Sequence, residues 1–253
     1  MCLSAIIVIN TTMSEAIVQS EVPVTLVGGG DVAPADLGQA LAIAPALVAA
    51  DGGANRALAL GHRPEWVIGD LDSLVDEARA VVPAHRIHRI AEQETTDFEK
   101  CLTRIEAPLV LGLGFAGPRL DHWLAVANAL VRHPAQPCLI LGGRDIAFAA
   151  PPRLSLPLAA GTRVSLFPLA PVTGRSAGLR WPIEGLHFAP DGRIGTSNEA
   201  LGPVHLEFDA PGMLVILPRE ALAVATAFLR RPALPPPAPA GDGRDAPPSA
   251  RDG

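Results

Sequence analysis

Tyrosine is absent from the 253 residues, and the whole aromatic fraction is 4%. An interior with so few rings must be filled by Ala, Val, Leu and Ile, and a hydrophobic fraction of 49% supplies them. With 18% charged residues, this is the composition of a globular chain and not of a disordered one. Cysteine is also scarce: Cys2, Cys101 and Cys138 stand far apart and form no CxxC or Cys/His spacing, which argues against a disulfide framework and a zinc site. No apolar run reaches the ~20 residues that span a bilayer, and the most apolar stretch, residues 40–50, is broken by Pro45. Positive charge is not in excess either. The formal net charge is -6, whereas surfaces that hold nucleic acid or anionic membrane need clustered Lys and Arg, so the expected partner is a small molecule. The apolar start over residues 1–10 has no basic residues ahead of it, so no signal peptide is expected and the chain reads as cytoplasmic. Met13 is an alternative start, and residues 1–20 read as an N-terminal extension.

What is present is a regular alternation. Short apolar runs that end in glycine or a polar loop fall at residues 24–27, 46–50, 66–68, 109–111 and 138–141, separated by helical patterns near 35–44, 54–60, 96–105 and 121–132. That order is the signature of βαβ units around a parallel sheet. After Gly142-Gly143 the pattern changes to short segments at 163–166, 178–181, 204–208 and 213–217, punctuated by Pro and Gly, which reads as an all-β region. The expected fold is therefore α/β over residues 21–145, a three-layer parallel-sheet domain, followed by a smaller β-sandwich over 150–231. Residues 232–253 are mostly Pro, Ala, Gly, Asp and Arg, a composition that predicts a disordered tail. A length of 253 residues suits one large or two modest domains.

The chemistry gathers in the loops. Gly69-Asp70-Leu71-Asp72-Ser73 follows an apolar strand, and in extended chain Asp70 and Asp72 project to one side while Leu71 turns inward. Two such carboxylates suit Mg²⁺, although Ser73 and Asp76 also have the spacing of a helix cap. Thr96 and Glu99 are spaced as a capping box, with Asp97 in the first turn, where it either joins the metal site or complements the helix dipole. Lys100, one turn on, reaches a phosphate or pairs with a carboxylate. The run Gly112 to His122 opens another helix; its glycines let backbone approach a ligand and Arg119 can fork onto phosphate oxygens. Within it Asp121 reads equally as a cap and His122 as a packed neutral ring. Asp51-Gly52-Gly53-Ala54-Asn55 is either a capped glycine turn or a ligand loop.

Taken in order, Asp51-Gly52-Gly53-Ala54-Asn55, Gly69-Asp70-Leu71-Asp72-Ser73, Gln93 with Thr96-Asp97-Phe98-Glu99-Lys100, and Gly117-Pro118-Arg119-Leu120-Asp121-His122 resemble the motifs of the thiamine pyrophosphokinase family. Gly178-Leu179-Arg180-Trp181-Pro182 and Thr196-Ser197-Asn198-Glu199 extend the resemblance, which covers roughly residues 24 to 220. Pro118 departs from the family, which more usually has a second glycine there, and the Pro-rich tail is an extension. The resemblance implies transfer of a pyrophosphoryl group from ATP to the hydroxyl of thiamine with Mg²⁺. It implies Asp70, Asp72 and Asp97 as catalytic metal ligands, and Asp51, Asn55, Gln93, Lys100, Arg119, Asp121 and His122 on the nucleotide side. Trp181, Ser197 and Asn198 are implied at thiamine, in a homodimer with its active site between subunits. Without the resemblance, Trp181 reads as β-domain core and Ser197-Asn198 as a turn. Two rivals follow from the same residues: a pyrophosphokinase for another alcohol, such as a hydroxymethylpterin, and a non-catalytic metabolite-binding protein.

Overall fold

The computed structural model describes residues 16–230. Most of the expected N-terminal extension, with Cys2 and Met13, and the tail over 232–253 lie outside the described residues. The chain runs β1 (Val18–Gln19), β2 (Val24–Val27), α1 (Pro34–Ile43), β3 (Ala46–Ala50), α2 (Gly53–Ala59), β4 (Trp66–Gly69), α3 (Asp76–Val81), β5 (Ile87–Arg89), α4 (Asp97–Leu102), β6 (Ile105–Glu106), β7 (Val110–Leu113) and α5 (Leu120–Arg132). It continues with β8 (Cys138–Leu141), β9 (Asp145–Ala149), β10 (Arg153–Leu156), β11 (Arg163–Pro168), β12 (Gly174–Leu179), β13 (Gly195–Phe208), β14 (Met213–Pro218) and α6 (Leu222–Leu229).

Strands β5, β4, β3, β2, β7 and β8 lie side by side in that order, all parallel. Every residue of β2, β7 and β8 is buried, as expected of strands covered on both faces. Side chains alternate between the faces. Val24 and Leu26 of β2 pack with Phe98 of α4 and Val126 of α5, while Val27 packs with Leu37 of α1. Ala49 and Val67 meet Ala54 and Ala78 of α2 and α3. Helices thus cover both faces of the parallel strands.

The chain winds outward from β2 to β5, then returns to place β7 on the other side of β2. This reversal makes a switch point between β2 and β7, where the loops at the strands' carboxyl ends diverge.

Beyond β8 the direction changes. β9 runs antiparallel to β8, β14 to β9, β11 to β14 and β13 to β11. The 14-residue β13 pairs β11 over residues 195–199, β10 over 204–207, and β12 at Ala200 and over 205–208. The result is a mixed α/β protein with one large sheet and a strand-rich C-terminal region. Hydrogen bonding between strands is continuous from β5 to β10, so the two regions of the expected fold are joined through a single sheet. Because β9, β14 and β11 alternate in direction, Asp145, Pro218 and Arg163 come to the edge that carries the carboxyl ends of the parallel strands.

One expected element is shorter than its pattern. The helix predicted over residues 96–105 stops at Leu102, and Ile105 enters β6, paired to Val18 of β1. An apolar residue after a short helix carries the same period whether it packs from a last turn or from a strand. Cys101 and Cys138 are buried free thiols, pushed well above the ordinary thiol range by burial. Among the described residues no helix is long and apolar enough to cross a membrane.

Candidate active site

At the switch point itself the crevice is closed. Gly28 N donates to Leu113 O at 2.8 Å and Gly30 N to Gly114 O at 3.2 Å. The ring of Phe115, edge-on to Phe98 at 4.9 Å, lies so near Gly28 that a Cβ there would meet it at 2.6 Å. Polar side chains collect instead beside the crevice, above β3, β4 and β5.

Three aspartates converge there. Asp51 leaves β3 with φ 43° and is 3% exposed, and Asp70 and Asp72 follow β4. A ligand oxygen from each lies within 4.8 Å of the others. The approach requires glycine at position 69, where a Cβ would fall 2.7 Å from the Asp51 Cβ. Asp70 and Asp72 do share a side while Leu71 turns inward, but not by strand alternation. β4 ends at Gly69, and Leu71 takes φ 66°, which drops its side chain onto the α2/α3 core and leaves both carboxylates above.

Few donors meet these acids. Gln93 Nε2 donates to Asp70 Oδ2 at 3.1 Å, and that bond, more than any other influence, holds the Asp70 carboxyl below the usual range. Lys100, only 2% exposed, places Nζ 3.6 Å from Asp70 Oδ2 and 3.5 Å from Asp97 Oδ1. Burial pushes the Asp97 carboxyl up, and Asp51 and Asp70 add to this while Lys100 opposes it. Asp51 Oδ1 is buried and has no hydrogen-bond partner among the described residues. A buried unpaired carboxylate oxygen beside two further carboxylates fits a hard divalent cation that takes oxygen ligands.

Neighbouring motif residues hold this arrangement. Asn55 Nδ2 donates to Ser73 O at 2.7 Å and its Oδ1 accepts from Val75 N at 3.2 Å, tying α2 to the aspartate loop. Ser73 does not cap α3, whose N-cap is Val75; its hydroxyl donates to Asp72 Oδ1 at 2.9 Å. Thr96 Oγ1 accepts from Glu99 N at 3.3 Å, one half of a capping box. The Glu99 carboxylate completes no box: it lies 2.9 Å from Arg132 Nη1 and from His133 Nε2 at the end of α5.

The remaining expected residues fall into two outlying groups on the same sheet edge. Arg119 and Asp121 pair with each other at 2.6 Å at the exposed start of α5, where His122 is also exposed, not packed. Asp121 lies inside the first turn of α5, with Arg119 at the cap position. Beside them Leu120 and Leu124, one turn apart, are 74% and 60% exposed. Far along the sheet, Asn198 Oδ1 accepts from Trp181 N at 3.2 Å and its Nδ2 donates to Trp181 O at 2.7 Å. Ser197, at φ 62°, donates its N–H to Ser165 Oγ at 3.1 Å. The Trp181 ring is not core: it is 56% exposed, with the Arg180 guanidinium 5.8 Å from its centroid. β13 stands eight strands from β4, a path of roughly 38 Å at ~4.8 Å per strand. Among the described residues no hydrogen bond or ion pair joins either group to the aspartates.

Two sequence models match the chain: "Thiamin pyrophosphokinase, catalytic domain" over residues 37–140 and "Thiamin pyrophosphokinase, vitamin B1 binding domain" over 153–213, together more than half of its length. No curated protein matches it by sequence. Among solved structures it is similar to a protein from Lactobacillus plantarum, with 26% identity and a TM-score of 0.66, covering 78% of this chain and 99% of that one. It is similar to thiamin pyrophosphokinase from Candida albicans, with 17% identity and a TM-score of 0.66, covering 81% and 93%. The enzyme of the same description from Geobacillus thermodenitrificans has 22% identity and a TM-score of 0.63, covering 77% and 96%.

Proposed function

The chain belongs to the thiamin pyrophosphokinase family, and from that premise we propose that it transfers the pyrophosphoryl group of ATP to the hydroxyl of thiamine, giving thiamine diphosphate and AMP. The observation that carries this reading is the convergence of Asp51, Asp70 and Asp72, with one buried oxygen of Asp51 left unpaired. Residues 21–145 act as the ATP and Mg²⁺ domain and residues 150–231 as the thiamine domain. Asp70 and Asp72 hold Mg²⁺ with Asp51, and Asp97 completes the acidic set from α4. Bound there, Mg²⁺ neutralises charge on the phosphate oxygens, which is most of what phosphoryl-type transfer needs.

The chain's own residues do the rest. The thiamine hydroxyl oxygen bonds to the β-phosphorus of ATP, the bond from that phosphorus to the α,β-bridging oxygen breaks, and AMP leaves with the electron pair. The hydroxyl proton passes to a carboxylate, and Asp97, whose carboxyl is raised by burial, suits that task best. Lys100, fixed between Asp70 and Asp97, supplies positive charge beside the transferring group. Arg119, exposed and paired with Asp121 alone among the described residues, turns its fork onto phosphate oxygens, with Asn55, Gln93, Asp121 and His122 lining the nucleotide side. Trp181 is the platform for the thiamine rings, with Asn198 fixing its backbone and Ser197 and Asn198 supplying polar contacts to thiamine.

The distance between Trp181 and the aspartates along the sheet supports a homodimer in which the partner subunit's Trp181 faces this chain's aspartates. The exposed Leu120 and Leu124 beside Arg119 provide apolar surface for that contact. The site of action is the cytoplasm, in keeping with the cysteine usage and the acidic charge balance. The test is product analysis after incubation with ATP, Mg²⁺ and thiamine, with a hydroxymethylpterin as competing acceptor. Thiamine diphosphate with equimolar AMP is expected. ADP, a pterin diphosphate, or no transfer would each overturn the reaction, the acceptor, or the enzymatic reading in turn.

A further inference from the structure

Leu71 carries a side chain and still takes φ 66°, a conformation that residues with a Cβ seldom adopt. Such backbone persists only where its surroundings over-determine it. Asp72 N donates to Asp70 Oδ1 at 3.4 Å and the Leu71 side chain packs on the α2/α3 core, and two guanidinium groups add to that constraint. Arg79 Nη2, from the last turn of α3, donates to Leu71 O at 2.9 Å. Arg89 Nε, from β5 where its backbone is in register with Gly69, donates to Asp70 O at 3.3 Å. Consecutive carbonyls of one bend are therefore gripped from two different elements. Both arginines lie next to an acidic cluster, yet among the described residues neither makes an ion pair with a carboxylate; they bind the peptide groups between the aspartates instead.

We propose that Arg79 and Arg89 are positioning residues that hold the Asp70-Leu71-Asp72 bend in its left-handed form, so that both carboxylates face Asp51. The inference rests on the reading of these aspartates as cation ligands. Its sign sets it apart from a role as ordinary surface charge. Two positive groups so near a cation site repel a divalent ion, and on charge alone removing either one tightens cation binding. A clamp acts the other way, because affinity scales with the fraction of molecules whose loop is already bent to receive the ion.

The experiment is a Mn²⁺ titration of the full chain without nucleotide, read from the electron paramagnetic resonance signal of free Mn²⁺. Arg79→Met, which keeps the aliphatic stem, should raise the dissociation constant about five- to tenfold, the loss of roughly one ordinary hydrogen bond, since solvent at the exposed Arg79 weakens the advantage of a charged donor. Arg89→Met, whose bond is longer, should raise it less. Glycine enters the left-handed region freely, so adding Leu71→Gly to Arg79→Met should bring binding back to within about twofold of the parent. The proposal is overturned if Arg79→Met binds Mn²⁺ as tightly as the parent or more tightly, or if the double variant stays as weak as Arg79→Met alone. Failure of the cation reading looks different: the parent and Asp72→Asn then bind Mn²⁺ equally weakly. In that event the clamp is judged on metal-free protein by hydrogen exchange at the amides of Leu71, Asp72 and Ser73. Arg79→Met accelerates that exchange several-fold if the clamp exists; unchanged exchange refutes it.

Discussion

Replacing Asp51 by Asn should stabilise the cation-free protein and weaken its response to Mg²⁺. The Asp51 carboxylate is 3% exposed, has one oxygen without a partner, and lies within 4.8 Å of ligand oxygens of Asp70 and Asp72. Lys100 is committed to Asp70 and Asp97. At that separation and an effective dielectric constant near 20, one like-charge pair repels by about 3.5 kcal/mol. Solvent around the exposed Asp72 and the charge of Lys100 beside Asp70 reduce this, leaving a gain of ~2 kcal/mol for the amide. For a chain of this size that gain corresponds to a melting temperature higher by roughly 4–8 °C in the presence of a chelator. With saturating Mg²⁺ the order should reverse, since ligand binding stabilises only the chain that retains its ligands. Thermal unfolding followed by circular dichroism, in chelator and in Mg²⁺, measures both. An Asn variant that melts below its parent in chelator would refute the reasoning, because it would mean that the Asp51 charge is compensated inside the fold. So would equal Mg²⁺-induced shifts in the two proteins.

The other expectations concern single residues around the same edge. Lys100→Met removes the buried charge that stands between Asp70 and the part-exposed Asp97 and, with solvent screening the two carboxylates, should cost about 1–2 kcal/mol in chelator, seen as a lower melting temperature that Mg²⁺ partly restores. Asp97 is raised by burial, so the folded chain binds its proton more readily than the unfolded one; stability from this group is present at acid pH and lost as pH rises through the folded value. In chelator, Asp97→Asn should therefore melt above the parent at neutral pH, and the two curves should converge on acidification. Asp70 has the opposite sign, because the Gln93 hydrogen bond lowers it, so the stability lost in Gln93→Ala should be evident at neutral pH and vanish as pH falls through the folded Asp70 value. Trp181→Ala, at an exposed position, should barely move the melting temperature but raise the KM for thiamine about tenfold or more with the KM for ATP unchanged, as steady-state kinetics would show. Leu124→Glu should shift sedimentation towards monomer if the exposed face of α5 is the subunit contact.

Much of the site was legible because its residues stand directly after buried strands. Asp51, Asp70 and the Gly114 to Arg119 loop each follow an apolar run, and parallel strands deliver all such loops to one edge. Residue roles were less legible. The spacing of Ser73 and Asp76 fits a cap that is not made, because Ser73 is turned to Asp72 by the bend at Leu71. Glu99 fits a capping box but faces Arg132 and His133, which only helix packing brings to it. Nothing in the pattern marked Arg79 or Arg89, since a side chain that binds a carbonyl through space leaves no period in the chain. Trp181 beside a proline reads as core without the family likeness, whereas in the structure its ring is exposed and its backbone is held by Asn198 through both N–H and C=O.

Sequence alone determined the alternation of strands and helices, the change to strand-rich chain after Gly143, and the acidic loops at strand ends. Those are local properties, written in hydrophobic period and in residues that favour turns. Tertiary structure decided that β7 lies beside β2, that the two regions share one sheet, and that Asp51 joins Asp70 and Asp72 while Asp97 is held by Lys100. Strand order and register set which distant side chains meet, and an apolar strand carries the same pattern wherever it is inserted in a sheet.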